Sequence, residues 1–204
     1  MSVETAAAGA PGYPLRFDIE YPEKLSRLLN NIPYLKAILV IPHLIVLLVM
    51  SILAGVVNFF AWWAILFTGK YPRGLFNFYV SVQRWGLNVS VYEAMMRDEY
   101  PAFSGDDGRY PAVTYAVDYP ERLSRLLNNI PYLKVILLIP HFIVLIFLAI
   151  GGLVVNFIAW WAILFTGTYP RGLFDYSVGV FRWSARVSAY AAMLTDDYPP
   201  FSLR

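Results

Sequence analysis

Two stretches of the chain, residues 37–67 and 135–165, run for 31 residues each without one Asp, Glu, Lys or Arg. An apolar run of about 18 residues already suffices for a membrane helix, so each stretch is longer than a single perpendicular crossing needs. The rest of the composition agrees. Of 204 residues, 58% are hydrophobic and 15% charged, where globular domains carry roughly 25% charged residues. A net charge of +2 dispersed over short polar segments offers no basic patch for nucleic acid. With no cysteine, disulfides, thiolate metal sites and cysteine nucleophiles are excluded together.

The two runs belong to a tandem repeat. YPEKLSRLLNNIPYLK at residues 21–36 returns as YPERLSRLLNNIPYLK at 119–134, and NFFAWWAILFTGKYPRGLF at 58–76 returns as NFIAWWAILFTGTYPRGLF at 156–174. Every match keeps an offset of 98 residues without a gap, including IPH at 41–43 and 139–141, and DEYPAF and DDYPPF at 98–103 and 196–201. This is one unit duplicated. The organisation is a disordered Ala/Gly/Pro lead-in over 1–14, repeat 1 over 15–103, a linker over 104–112 (SGDDGRYPA) and repeat 2 over 113–204. Because both units carry the same charged flanks, they prefer the same orientation under the positive-inside bias. Each therefore crosses a membrane an even number of times, or not at all.

The fold class expected is an all-α integral membrane protein of two parallel-oriented repeats. Each repeat has a short strand (LRFDIE, VTYAVD), a short amphipathic helix with Leu25, Leu28, Leu29 and Ile32 on one face and Pro33 at its end, the long apolar run, and a second amphipathic helix. The strands pair with each other or with another subunit. The long run is either a helical hairpin turning near Ser51–Gly55 and Ala149–Gly152, where small residues weaken a continuous helix, or one long tilted helix. The hairpin is the expected layout. In it the second amphipathic helix lies at the interface and keeps Arg84, Arg182 and Arg186 out of mid-bilayer, where an Arg costs at least about 2.5–3.5 kcal/mol.

The ordered series YPERLSR, IPH, WWAILFTGxYPRGLFD, RWSxRVSAY and DDYPPF resembles the bacterial membrane family called domain of unknown function 4389, and the likeness covers both units. The first unit departs from the pattern at Asn77 and Asn88, where the second has Asp175 and Arg186. The resemblance implies a place in the cytoplasmic (inner) membrane, multi-pass or re-entrant, and implies no activity.

Several residues carry candidate chemistry. His43 and His141, the only histidines, each follow a proline at the mouth of an apolar run. They could ligate haem or a pigment if the units faced each other; the plainer reading is an imidazole bonded to a carbonyl left free by Pro42 or Pro140. Trp62, Trp63, Trp160 and Trp161 read as interfacial anchors. The Thr-Gly strings stop the apolar helices, the following Pro opens the next helix, and Arg73 and Arg171 reach lipid headgroups. Asp98-Glu99, Asp106-Asp107 and Asp196-Asp197, all outside the apolar runs, read as solvated helix ends. The expected function is non-enzymatic: a structural or accessory membrane subunit contacting lipid and packing against itself or a larger complex. The alternatives are a channel or transporter component with Arg84, Arg182 and Arg186 along a polar path, and a cofactor-binding subunit built on the two histidines.

Overall fold

The computed structural model describes residues 12–204 apart from Pro33 and Pro131. Most of the expected lead-in, residues 1–11, and the proline assigned to end the first helix lie outside those residues. Each repeat consists of a strand, a one-turn helix, a 34-residue helix and a 21-residue helix: β1 (Leu15–Ile19), α1 (Arg27–Asn31), α2 (Leu35–Thr68) and α3 (Arg73–Glu93), then β2 (Val113–Val117), α4 (Arg125–Asn129), α5 (Leu133–Thr166) and α6 (Arg171–Ala191).

The long apolar runs are single helices, which corrects the expected hairpin. Helix continues through Ser51–Gly55 and Ala149–Gly152 without a break. The physical reason is that Gly costs a helix only about 1 kcal/mol, whereas a turn in the middle of an apolar run strips several backbone groups of their partners at several kcal/mol each. The stop signals act where the sequence places them: Gly69 and Gly167 adopt left-handed φ of 70° and 73° and close each helix with an N–H bond to the Ile65 or Ile163 carbonyl.

The strands pair antiparallel, with Phe17 opposite Tyr115. These two residues are equivalent under the 98-residue offset, so a pseudo-twofold axis passes between them, perpendicular to the sheet. Leu15, Phe17 and Ile19 point inward, β1 packing on α6, where Phe17 stacks on Phe181 at 6.3 Å, and β2 on α3, while Arg16 and Asp18 face outward.

The repeats exchange their N-terminal segments. The Leu25 N–H donates to the Gly167 carbonyl and the Leu123 N–H to the Gly69 carbonyl, both at 2.8 Å, and the Tyr21 and Tyr119 hydroxyls donate to the carbonyls of Tyr169 and Tyr71. Consequently α1 sits on α5 and α4 on α2. Trp160, near the end of α5, lines the same small cavity as Leu35–Ala37 at the start of α2, and Trp62 does so with Leu133–Val135. The two long helices thus run in opposite senses between the same two ends of the molecule, with α3 antiparallel against α2 and α6 against α5.

Three local readings change. Tyr13 and Pro14 belong to the fold rather than to a loose lead-in: the Tyr13 hydroxyl donates to the Asp197 carbonyl at 3.2 Å, and the Pro14 carbonyl accepts from Asp118 N at 2.8 Å. The linker is a fixed strap, with Tyr110 buried and the Ala112 carbonyl bonded to Glu20 N. The expected apolar face of the short helix is split: Leu25 is buried and Leu29 packs against the Val40 and Trp85 cluster, while Leu28 is 71% exposed and Asn30 is buried in its place.

The strap shows how the copies diverged together. A Cβ on Gly105 would stand 1.8 Å from the Ser81 carbonyl oxygen; at the equivalent place in repeat 2, Leu203 lies against Gly179. The small residue has moved from strap to helix. Gly105→Ala should therefore lower stability by about 1–3 kcal/mol through overpacking. Gly86→Ala, in the interior of α3 with open space around it, should raise it by about 0.5–1 kcal/mol. Thermal unfolding of the detergent-purified variants checks both signs.

Candidate membrane-contact surface

Packing leaves most of α2 and α5 uncovered. In their most apolar windows only 17% and 6% of residues are buried, which sets them apart from the core helices of a water-soluble protein. Along α2, Ile38, Ile41, Ile45, Leu48, Ile52, Val56, Phe59, Trp63 and Phe67 form one exposed stripe running the whole length. The opposite face, with Val40, His43, Ala54, Ala61 and Ile65, is buried. The helix is apolar on both faces, so the exposed one cannot be accounted for as a solvated side.

Polar clusters bound this surface, and their side chains are committed to internal partners. The Lys36 ammonium donates to the Arg97 carbonyl (2.7 Å) and to the Asp98 carboxylate (3.1 Å). Asp98 also accepts from Ser26 N and from the Asn30 amide, capping α1. Lys134, Asp196, Ser124 and Asn128 repeat the arrangement. Asp98 and Asp196 are therefore caps and ion-pair partners, not solvated helix ends. The sequence carries the signal for this only as the co-occurrence of the NN and D(E/D)Y strings in both units. Glu99 meets Arg97 at 2.6 Å; burial pushes its carboxyl up, but hydrogen bonds from Arg97 and the backbone outweigh that and hold it below the usual range.

His43 is fully buried. Its Nδ1 accepts from the Trp85 indole at 3.0 Å, its ring stacks on Phe103 at 3.8 Å, and its Nε2 has no hydrogen-bond partner. His141 is the same with Trp183 and Phe201. The reading in which the imidazole bonds a carbonyl freed by proline is corrected, because one ring nitrogen accepts from tryptophan and the other has no partner; the neighbouring Leu39 and Leu137 carbonyls accept from the Tyr100 and Tyr198 hydroxyls at 2.8 Å. The histidines also do not face each other. His43 lies near the start of α2, about 28 Å by helical rise from Trp62, which is the α2 residue that adjoins the start of α5, where His141 sits.

The arginines of the polar stripe hold backbone. Arg84 donates to the Tyr115 and Gly105 carbonyls at 2.9 and 2.7 Å. Arg182 donates to the Phe17 and Leu203 carbonyls and pairs with Asp18 at 3.0 Å. Arg186, wholly buried, donates to the Ser202 and Arg204 carbonyls. They clamp the sheet, the 104–112 strap and the C-terminal segment Ser202–Arg204 to the helices.

The tryptophan pairs split. Trp62 donates to the Asn128 carbonyl at 3.1 Å and locks the repeats together; Trp160 is its half-buried equivalent. Trp63 and Trp161 point outward and stack on Phe67 and Phe165. Arg73 and Arg171 lay their guanidinium faces on Tyr119 and Tyr21 of the other repeat, at 4.3 and 4.7 Å. Arg73 shares a cavity of about 460 Å³ with Lys70, Glu121 and Arg122.

A family model matches twice, over residues 33–105 and 131–202, under the description Domain of unknown function (DUF4389). The chain belongs to that family. Two matches in one chain confirm the tandem duplication. In this DUF4389 tandem, both strands and both one-turn helices, the segments exchanged between repeats, fall outside the matched ranges. Comparison with curated proteins and with solved structures returned no match.

The Lys36–Asp98 pair gives a direct test of the polar clusters. Asp98→Ala leaves a buried ammonium without its carboxylate and α1 without its cap, and should cost about 3 kcal/mol. Adding Lys36→Met should recover a large part of that loss. A double-mutant cycle by chemical denaturation measures the coupling.

Proposed function

We propose that this protein is a non-enzymatic membrane component: a structural or accessory subunit whose long helices are solvated by lipid and whose polar side organises a lipid or protein neighbour. The observation that carries the reading is the exposed apolar stripe of α2 and its counterpart on α5, which run about 50 Å each and exceed the scale of apolar patch a soluble monomer tolerates. The commitment of Arg84, Arg182, Arg186, Lys36 and Lys134 to backbone and caps supports a scaffolding role. The outward Trp63 and Trp161 suit the boundary between hydrocarbon and headgroups. The cavity lined by Lys70, Arg73 and Arg122 with a single acid, Glu121, keeps a net positive lining that suits an anionic headgroup.

Charge placed on the stripe tests the reading without disturbing the fold, because the positions are exposed. Ile45→Lys and Ile52→Lys should each weaken partitioning into lipid vesicles by about 2.5–3.5 kcal/mol, near 100-fold, for positions deep in hydrocarbon, while leaving the helical circular dichroism unchanged. Flotation with phosphatidylcholine and phosphatidylglycerol vesicles measures it. A wild-type chain that stays in the aqueous fraction would end the membrane reading.

A further inference from the structure

We infer that the chain enters one leaflet only: α2 and α5 lie flat in the membrane plane, the pseudo-twofold axis stands along the membrane normal, and the sheet rests on the water side. This rests on the membrane reading above and goes beyond it by fixing what the helices do in the bilayer.

The argument starts from symmetry. A twofold rotation preserves height along its axis and reverses direction across it. The start of α2 adjoins the end of α5, and the end of α2 adjoins the start of α5. Equivalent residues have equal heights, so the two ends of each long helix stand at nearly the same height. Between Lys36 and Trp62 the helix climbs about 39 Å along its own length, while contact at the two junctions allows the heights to differ by only about 10 Å. The long helices are therefore close to perpendicular to the axis, as are the strands.

Only two placements bring such helices into lipid. If they cross the bilayer, the axis lies in the membrane plane and the repeats become inverted, although their charged flanks are the same. The sheet, which sits on the axis, is then held at mid-bilayer. That buries in hydrocarbon a two-stranded sheet with no third strand at either edge, where only the central Phe17 and Tyr115 carbonyls are covered by arginines, and partly exposed Arg16, Asp118 and Asp18 with it. Open sheet edges facing lipid do not occur, and each charge costs at least about 2.5 kcal/mol. The crossing also needs a 46 Å apolar length to fit about 30 Å of hydrocarbon, a tilt near 50°, outside the usual 0–40°.

If instead the axis follows the membrane normal, these conflicts disappear. The repeats share one orientation, and Arg16, Asp18 and Asp118 face water. The strands pack on α6 and α3, which in turn pack on α5 and α2, and one layer of helices about 10–12 Å thick fills most of a single leaflet's 15 Å or so. The embedded helices then displace on the order of 1,000 Å² of that leaflet and none of the other, the geometry of a one-sided wedge.

The absence of cysteine makes the test clean. Ile38→Cys, Ile45→Cys, Ile52→Cys, Phe59→Cys and Phe67→Cys all alter exposed positions on one stripe of α2. Each is spin-labelled in the full chain and reconstituted in phosphatidylcholine and phosphatidylglycerol vesicles, where relaxation by oxygen and by a nickel chelate reports depth. A flat helix gives the five labels depths that agree within about 5 Å. A crossing helix gives a maximum near Ile52 and returns Ile38 and Phe67 to the surface, a spread of about 15 Å, and this overturns the inference. In the same vesicles Tyr34→Cys and Lys70→Cys should react with an impermeant maleimide from one side; reaction from opposite sides also overturns it. Labels that report no bilayer depth because the chain does not float with vesicles sink the membrane reading itself, and labels shielded by a second copy in a dimer sink the lipid assignment.

Discussion

The reciprocal pair of backbone bonds between Leu25 and Gly167, and between Leu123 and Gly69, is the constraint on which the other features depend. Each bond carries the N-terminal segment of one repeat to the far end of the other's long helix. Neither repeat then completes its own fold: the strand of one lies on the last helix of the other, and the tyrosine that opens one repeat receives the guanidinium face of the other's Arg73 or Arg171. The exchange also sets the direction of the long helices, since it ties the start of each to the end of its twin.

The polar chemistry of the molecule is spent on holding this exchange. Asp98 and Asp196 each gather a backbone N–H, an amide and a lysine, and so join the one-turn helix, the start of the long helix and the end of the last helix at one point. Arg84, Arg182 and Arg186 join the strands and straps to the helices through carbonyls. With such groups satisfied internally, the apolar flanks of α2 and α5, each long enough to cross a membrane, are left facing outward.

The histidines show how a conspicuous residue can serve packing. Each imidazole accepts from a tryptophan and stacks between the helix and the closing DEYPAF or DDYPPF segment. The spacing from His43 to Phe103 is sixty residues, so nothing in the local string announces the contact. The tryptophan pairs tell the same story in reverse: adjacent residues on a helix point about 100° apart, and one of each pair meets protein while the other meets the exterior.

The sequence by itself determined the duplication, the family, the two uncharged apolar runs and the glycines that end them, because these follow from identity, composition and local backbone preference. It found both strands but left open whether they pair with each other, as they do, or with another subunit. It did not decide that each run is one helix, that the repeats are interlocked, or that Leu28 and Leu126 of the one-turn helices point outward. A glycine's weak cost left the hairpin open, and only the full accounting of backbone partners closed it. Tertiary structure alone decided the height of each helix end along the twofold axis, since that depends on which copy's Gly-Lys-Tyr-Pro or Gly-Thr-Tyr-Pro turn the incoming strand finds, and two nearly identical copies offer the chain the same local chemistry for either choice.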